Sequence, residues 1–325
     1  MHVSPIYNTV GMDGAITMVT AWIAALGFTL QIYFDFSGYS DMAAGLALAI
    51  GVRLPINFDS PLKTSNIIDF WGRWHITLTR FLTAYVYNPI ALSWTRRRLQ
   101  KGKPGFSPAK PNVPAFIHLL ALPTFITMLL SGLWHGAGYT FIIWGGLHGI
   151  YLCINHGWRL TAPGWFKSRD AYDALMRPLG FVITFFSVTV AMVWFRANDV
   201  PSALAILQGM TGANGIGLPE KLAALGALDG FSWIIAEPVT LREFANTLAW
   251  LMALALVALV MPNTYQLMSA QEPVLGYQPR NELSTRLAQK IQWRPTVLWF
   301  VAISIILATT MMRIGGQSEF LYWQF

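Results

Sequence analysis

SGLWHGAGYTFIIWGGLHG, Ser131 to Gly149, is the stretch whose reading decides the fold. It holds no charged residue and joins two uncharged runs, Ala115 to Leu133 and Ala137 to Trp158. A helix needs roughly 20 mostly apolar residues to cross a bilayer. Two such runs meeting at Gly136 and Gly138 predict a pair of transmembrane helices, with His135 at their junction.

Working outward, the same pattern recurs. Gly14 to Phe34 carries no charge, Phe36 to Val52 is apolar apart from Asp41, and Pro178 to Phe195, Ala245 to Met261 and Thr296 to Met312 are uncharged. The expectation is an all-α, polytopic membrane protein with about seven transmembrane helices. Composition agrees. The 325 residues are 54% hydrophobic and 11% charged, with mean hydropathy +0.47. A soluble domain carries about 25% charged residues, so most of this surface faces lipid. The first apolar run reads as an uncleaved anchor, since residues 1–12 hold no Lys or Arg.

The net charge of +7 does not indicate nucleic acid, because the cations lie in loops. Loop 94–112 has Arg96, Arg97, Arg98, Lys101, Lys103 and Lys110 and no acid. Loops 159–177 and 263–295 are also rich in Lys and Arg, whereas 198–243 is acidic and Gly-rich. Placing the basic loops in the cytoplasm alternates the spans from 115 onward without conflict and puts 198–243 outside, as an extracytoplasmic cap with a short helix or two. The whole of 1–325 reads as one membrane-embedded domain. The single Cys153 offers no disulfide framework.

Three segments place polar groups where lipid disfavours them. In YFDFSGYSDMA, Tyr33 to Ala43, Asp35 and Asp41 fall at the break between two apolar runs, with Ser37 and Asp41 spaced to share a helical face. They either line a polar cavity or satisfy a helix break. In DFWGRWHITLTRF, Asp69 to Phe81, charge inside an aromatic run predicts a re-entrant or interfacial helix, because a charged side chain at the bilayer centre costs about 3 kcal/mol. There, spacing puts Trp71, Trp74, His75 and Leu78 on one face, and Asp69 and Arg73 form a structural pair. His75 is a candidate base or positioning group, or a histidine anchored among interfacial aromatics. The third segment is the opening stretch. His135, at a span end beside small residues, can exchange a proton near neutral pH. His118, His148 and His156 read as packing or interfacial residues. No zinc spacing, HExxH, nucleotide loop or G-x-S-x-G elbow is present.

On these residues the chain resembles the membrane-bound O-acyltransferases, in the branch that O-acetylates alginate and D-alanylates teichoic acids. The stretches that carry the resemblance are QIYFDFSGYSDMAAGLALAIGVRLPINFDSP, DFWGRWHITLTRFL, SGLWHGAGYTFIIWGGLHG, VWFRA and the terminal FLYWQF, in that order. The resemblance implies a ring of helices, some re-entrant, around a polar funnel. It implies that His135 is the catalytic histidine and that His75 lines the same tunnel. It also points to Asp35, Asp41, Asn57, Trp71, Trp74 and Trp134 as substrate-binding residues. The implied reaction moves an acyl group, acetyl by family habit, from a cytoplasmic thioester such as acetyl-CoA, with no bound cofactor or metal. The acceptor would be an extracytoplasmic polysaccharide or its carrier. Implied partners are membrane lipids, an exopolysaccharide and an SGNH-type acetyltransferase, at a bacterial inner membrane. Two departures stand out. Gly72 replaces a usual arginine, and TAYVYNPIAL, Thr83 to Leu92, replaces a glycine-bearing segment. Relatives carry further helices before the point matching Met1, so the chain reads as the C-terminal part of the family fold. The other readings are a transporter or channel, whose broken helices and buried ionisable groups look similar, and a non-catalytic partner subunit.

Overall fold

The computed structural model describes residues 4–10, 15–225, 230–280 and 282–312. The terminal FLYWQF stretch and Asp229 lie outside the described residues. A short helix α1 (Ser4–Thr9) precedes the long α2 (Met18–Ala49). Then come α3 (Ile67–Trp71), α4 (Ile76–Leu82) and α5 (Asn88–Gln100), the last two joined by a π-helical turn over Thr83–Tyr87. Next, α6 (Val113–Phe116) runs through a second π-turn, Ile117–Ala121, into α7 (Leu122–His135). The chain continues as α8 (Tyr139–Thr161), α9 (Arg169–Arg196) and α10 (Val200–Met210). Strand β1 (Ile216–Pro219), α11 (Glu220–Ala223) and strand β2 (Ile234–Glu237) follow. The rest is α12 (Leu241–Leu259), α13 (Thr264–Leu267), α14 (Leu283–Lys290) and α15 (Val297–Met311).

Four helices are long and apolar enough to cross a membrane: α2, Val113–His135, α9 and α12. The difference from about seven has local causes. The two runs around Asp35 are one continuous 32-residue helix, so Asp35 and Asp41 sit within α2 and not at a break. Helix α8 is long, at 23 residues, but interrupted by polar side chains, and α15 has only 15 residues. The fold is also not purely helical. Within 198–243, β1 and β2 pair in parallel, Ile216 opposite Ile234. Glu237 of β2 accepts hydrogen bonds from Thr17 and from Thr20, the latter at 2.8 Å, which ties this segment to the start of α2.

Both π-turns lie just before a proline, Pro89 and Pro123. A proline donates no hydrogen bond to the carbonyl four residues back, here Tyr85 and Leu119. A wider turn absorbs the resulting gap without ending the helix.

The core forms where small residues let helices approach. Ala21, Ala24 and Ala25 of α2 are fully buried, in the same cluster as Ala191 of α9 and Ala203 of α10. Helices α7 and α8 pack backbone to backbone. A Cβ at Gly132 would clash with the Phe141 carbonyl oxygen, and one at Gly145 with that of Met128. Helices in lipid gain no hydrophobic attraction for one another, so close van der Waals packing through small residues holds them. Gly45, on the exposed part of α2, meets nothing within 4 Å among the described residues. Gly145→Leu is expected to destabilise the protein by about 1–3 kcal/mol or more, while Gly45→Ala leaves it unchanged or raises stability by up to about 1 kcal/mol. Thermal unfolding in detergent compares the two. Equal tolerance at Gly145 would show that α7 and α8 do not need contact at their backbones.

Candidate active site

His75 lies in a turn, not on a helix face. Helix α3 ends at Trp71, and α4 begins only after His75, whose φ of 42° and ψ of 54° are left-handed. Spacing therefore misled: Trp71, Trp74 and His75 do not share one helical surface. A non-glycine residue in this region costs about 1–3 kcal/mol and persists where its surroundings over-determine it. The surroundings here are the segment 57–59. Ile76 N–H donates to the Asn57 carbonyl at 2.9 Å, and Asp59 N–H to that of Arg73 at 3.0 Å.

The Asn57 side chain then selects the tautomer of His75. Its Oδ1 accepts from the Thr77 backbone N–H at 3.3 Å and from the Thr77 hydroxyl at 2.9 Å. Its Nδ2 donates to Ser40 Oγ at 3.0 Å. Because a backbone N–H can only donate, the amide oxygen must be the atom facing Thr77. His75 Nδ1, 3.0 Å from the same oxygen, must therefore carry the proton. In the neutral ring this leaves Nε2 as a bare acceptor. The ring is wedged between Phe36, 4.7 Å away edge-on, and Phe58, stacked at 6.4 Å.

His135 closes α7, and the chain extends through Gly136 before α8 starts. The glycines here do more than open space around the imidazole. Gly132, Gly145 and Gly149 let α8 lie on α7, and at Gly136 a Cβ would overlap the Phe141 ring. His135 is half-buried, edge-to-face with Trp144 at 5.2 Å and Phe195 at 5.0 Å. It has no hydrogen-bond partner among the described residues. Phe195 belongs to the VWFRA stretch, whose place at the site no spacing rule could show.

The two histidines flank Trp134, which is 59% exposed. Its indole is 4.9 Å from His135 and 6.5 Å from His75, centre to centre. The contacts continue from His135 to Trp144 and from Trp144 to His148 (4.9 Å). They run on from His148 to Phe70 (6.3 Å), Trp74 (5.6 Å), Phe58 (5.1 Å) and back to His75. These eight rings form a closed circuit. Trp71 joins it from the side, donating its indole N–H to His148 Nδ1 at 3.3 Å. Of the expected site residues, His75, His135, Asn57, Trp71, Trp74 and Trp134 thus come together.

Asp35 and Asp41 part company. Asp41 and Ser37 line a cavity of about 280 Å³ between α2 and the end of α12, and Asp41 accepts hydrogen bonds from Thr264 and Tyr265. Asp35 does not line it. The cavity borders the ring circuit at Phe58, which forms part of its wall, and at Tyr33, whose ring lies 6.4 Å from that of Trp74.

The expected Asp69–Arg73 pair is replaced by two others. Arg73 is buried and bonds Glu282 at 2.7 Å, while Asp69 lies 3.5 Å from Arg159 and caps with Asn66. Helix α3 ends between Asp69 and Arg73, so the four-residue spacing no longer brings them together. Nearby, Lys63 donates to the Met261 carbonyl at 2.5 Å, and burial pulls its ammonium down to about 8.

Removing the Asn57 acceptor should unlock His75. In nitrogen NMR of histidine-labelled protein, His75 is expected to show the Nδ1–H tautomer, and Asn57→Leu to lose it with about 1–3 kcal/mol of stability. An Nε2–H signature in the unaltered protein would overturn the assignment.

Residues 11–103 match the model of the MBOAT, membrane-bound O-acyltransferase family. The chain is 32% identical over 323 residues to a probable alginate O-acetylase of Pseudomonas aeruginosa, covering 94% of this chain and 56% of that protein. It is 40% identical over 210 residues to a peptidoglycan O-acetyltransferase of Helicobacter pylori, covering 64% of this chain and 35% of that protein. It is 30% identical over 184 residues to a teichoic acid D-alanyltransferase of Streptococcus thermophilus, covering 53% and 41%. The chain thus spans between 35% and 56% of the length of these relatives.

Proposed function

We propose acyl transfer to a polysaccharide hydroxyl, on the premise that the chain belongs to the membrane-bound O-acyltransferase family. The protein works in the bacterial inner membrane. The donor is a cytoplasmic thioester, acetyl-CoA or a similar acyl carrier, and the group moved is acetyl. The acceptor is an extracytoplasmic polysaccharide, or the hydroxyl of an SGNH-type acetyltransferase that passes the group on. One observation carries this reading: two half-buried imidazoles, His75 and His135, stand either side of one exposed indole.

In this mechanism His135 acts as the general base, since its nitrogens have no competing partner among the described residues. It takes the proton of the acceptor hydroxyl as that oxygen attacks the thioester carbonyl. The tetrahedral intermediate collapses with cleavage of the C–S bond. The imidazolium then returns the proton to the departing thiolate, so the ring ends neutral. General acid–base help of this kind is worth about 10²–10⁴ in rate. His75 cannot donate to an oxyanion from its bare Nε2. Its role is to accept an N–H or O–H from donor or acceptor and hold it in register. Trp134 provides an apolar wall that excludes water, and the turn between α3 and α4 is the floor of the funnel.

His135→Ala is expected to lower transfer by about 10²-fold or more while the protein still accumulates in the membrane. Transfer is read as radiolabel moved from acetyl-coenzyme A to alginate oligosaccharide in membranes holding the protein. Full transfer by that variant would sink the mechanism.

A further inference from the structure

His148 was expected to be a packing residue, yet it occupies a place no packing residue needs. Its side chain is fully buried, at 0% exposure. It lies against Trp71 (5.1 Å, edge-to-face), Phe70 (6.3 Å, stacked), Trp144 (4.9 Å) and Tyr151 (5.8 Å). Its Nδ1 accepts the Trp71 indole N–H. An acceptor nitrogen must be unprotonated, so the single proton of the neutral ring sits on Nε2. Among the described residues that buried N–H has no partner, and neither do the buried Trp144 indole N–H and Ser131 hydroxyl. A histidine kept in one tautomer with a buried N–H unpaired among the described residues, at a cost of about 1–3 kcal/mol, is poor packing taken alone; leucine or phenylalanine would remove that N–H but strand the Trp71 indole N–H instead, so what the histidine supplies is the bond to Trp71.

Its position in the ring circuit offers a reason. Trp144 touches His148 on one side and His135 on another, and Trp71 also contacts Trp144, at 5.8 Å. Trp71, Trp144 and His148 therefore form a mutually contacting triangle, and His135 rests on its Trp144 corner. Trp71 ends α3, the helix that leads into the His75 turn, while Trp144 and His148 belong to α8. The hydrogen bond from Trp71 to His148 is a polar tie between the segment that bears His75 and the α8 face that supports His135.

We infer that His148 is a positioning residue: through its bond to Trp71 it sets the Trp144 surface against which His135 is oriented, and so fixes the geometry between His135 and the His75 turn. The inference rests on the acyl-transfer reading for its kinetic consequence, though not for its geometry. A misplacement of about 1 Å at a reacting group can cost about 10²-fold in rate.

The test uses the intact chain in membranes, with acetyl-coenzyme A and alginate oligosaccharide as probes. His148→Leu, which preserves bulk and removes the acceptor, is expected to lower kcat about 10²-fold with KM within about threefold. His148→Asn places an amide oxygen near the Nδ1 position and is expected to restore kcat to within about tenfold of the unaltered protein. Trp71→Phe lowers kcat alone, and combined with His148→Leu it lowers kcat no further than the worse single change. A second readout needs no substrate: the rate at which diethyl pyrocarbonate modifies His135, mapped by mass spectrometry. That rate should shift several-fold in His148→Leu and return in His148→Asn.

Unchanged kcat and unchanged His135 labelling in His148→Leu would overturn the inference. So would equal losses in the Leu and Asn variants, or losses that multiply with Trp71→Phe, since either result is what bulk packing alone gives. If His148→Leu does not accumulate, Trp71→Phe decides: unaltered kcat and labelling there would overturn the inference. His135→Ala in parallel keeps the two claims apart. If it transfers at full rate, the mechanism fails; if it is inactive while His148→Leu is fully active, only the positioning inference fails.

Discussion

The contact of α7 with α8 through Gly132 and Gly145 is the constraint on which the rest of the site depends. Lipid offers helices no hydrophobic reason to pair, so only backbone-close packing holds these two in register. That register puts the last residue of α7, His135, against Trp144 in the second turn of α8 and against Phe195 at the end of α9. A side chain at either glycine would push the helices apart and carry the imidazole off its support.

Around that seam, polar groups are spent where they orient a ring. Asn57 uses both ends of its amide: the oxygen serves His75 and Thr77, and the nitrogen serves Ser40. Arg73 anchors the same turn to Glu282, and Arg280 lies 3.1 Å from the buried Asp59 beside it. Arg73 and Asp59 are the buried members of these pairs, so removing Glu282 or Arg280 would strand a buried charge. The His75 turn, strained at its left-handed residue, is therefore gripped by segments distant in the chain. Strain held by several independent contacts is a common mark of a working site.

Much of this was legible from residues alone. Apolar runs located the helices because a bilayer demands unbroken apolar length. His135 stood out because an ionisable ring at a span end is costly without a use. The errors were also physical. Asp35 and Asp41 looked like a break, but a 32-residue helix carries them, with Asp41 satisfied by Thr264 and Tyr265. The run from Trp71 to Leu78 kept a helical period through a turn that is not helical, since Gly72 and the strained His75 end one helix and start another. Periodicity reports which residues could share a face; it is silent on whether the backbone stays regular between them.

The chain's own order of residues determined that the protein lives in lipid, where its long helices run, and which imidazole lies at their junction, because each of these follows from local composition. The tertiary structure alone decided which rings meet and which tautomer His75 and His148 hold. The deciding bonds join residues 18 apart for His75 and Asn57, 77 apart for Trp71 and His148, and 209 apart for Arg73 and Glu282. At such separations no helical or strand period relates the partners. Only the packing of whole helices brings them within hydrogen-bonding distance, and a hydrogen bond of about 3 Å is what selects one nitrogen over the other.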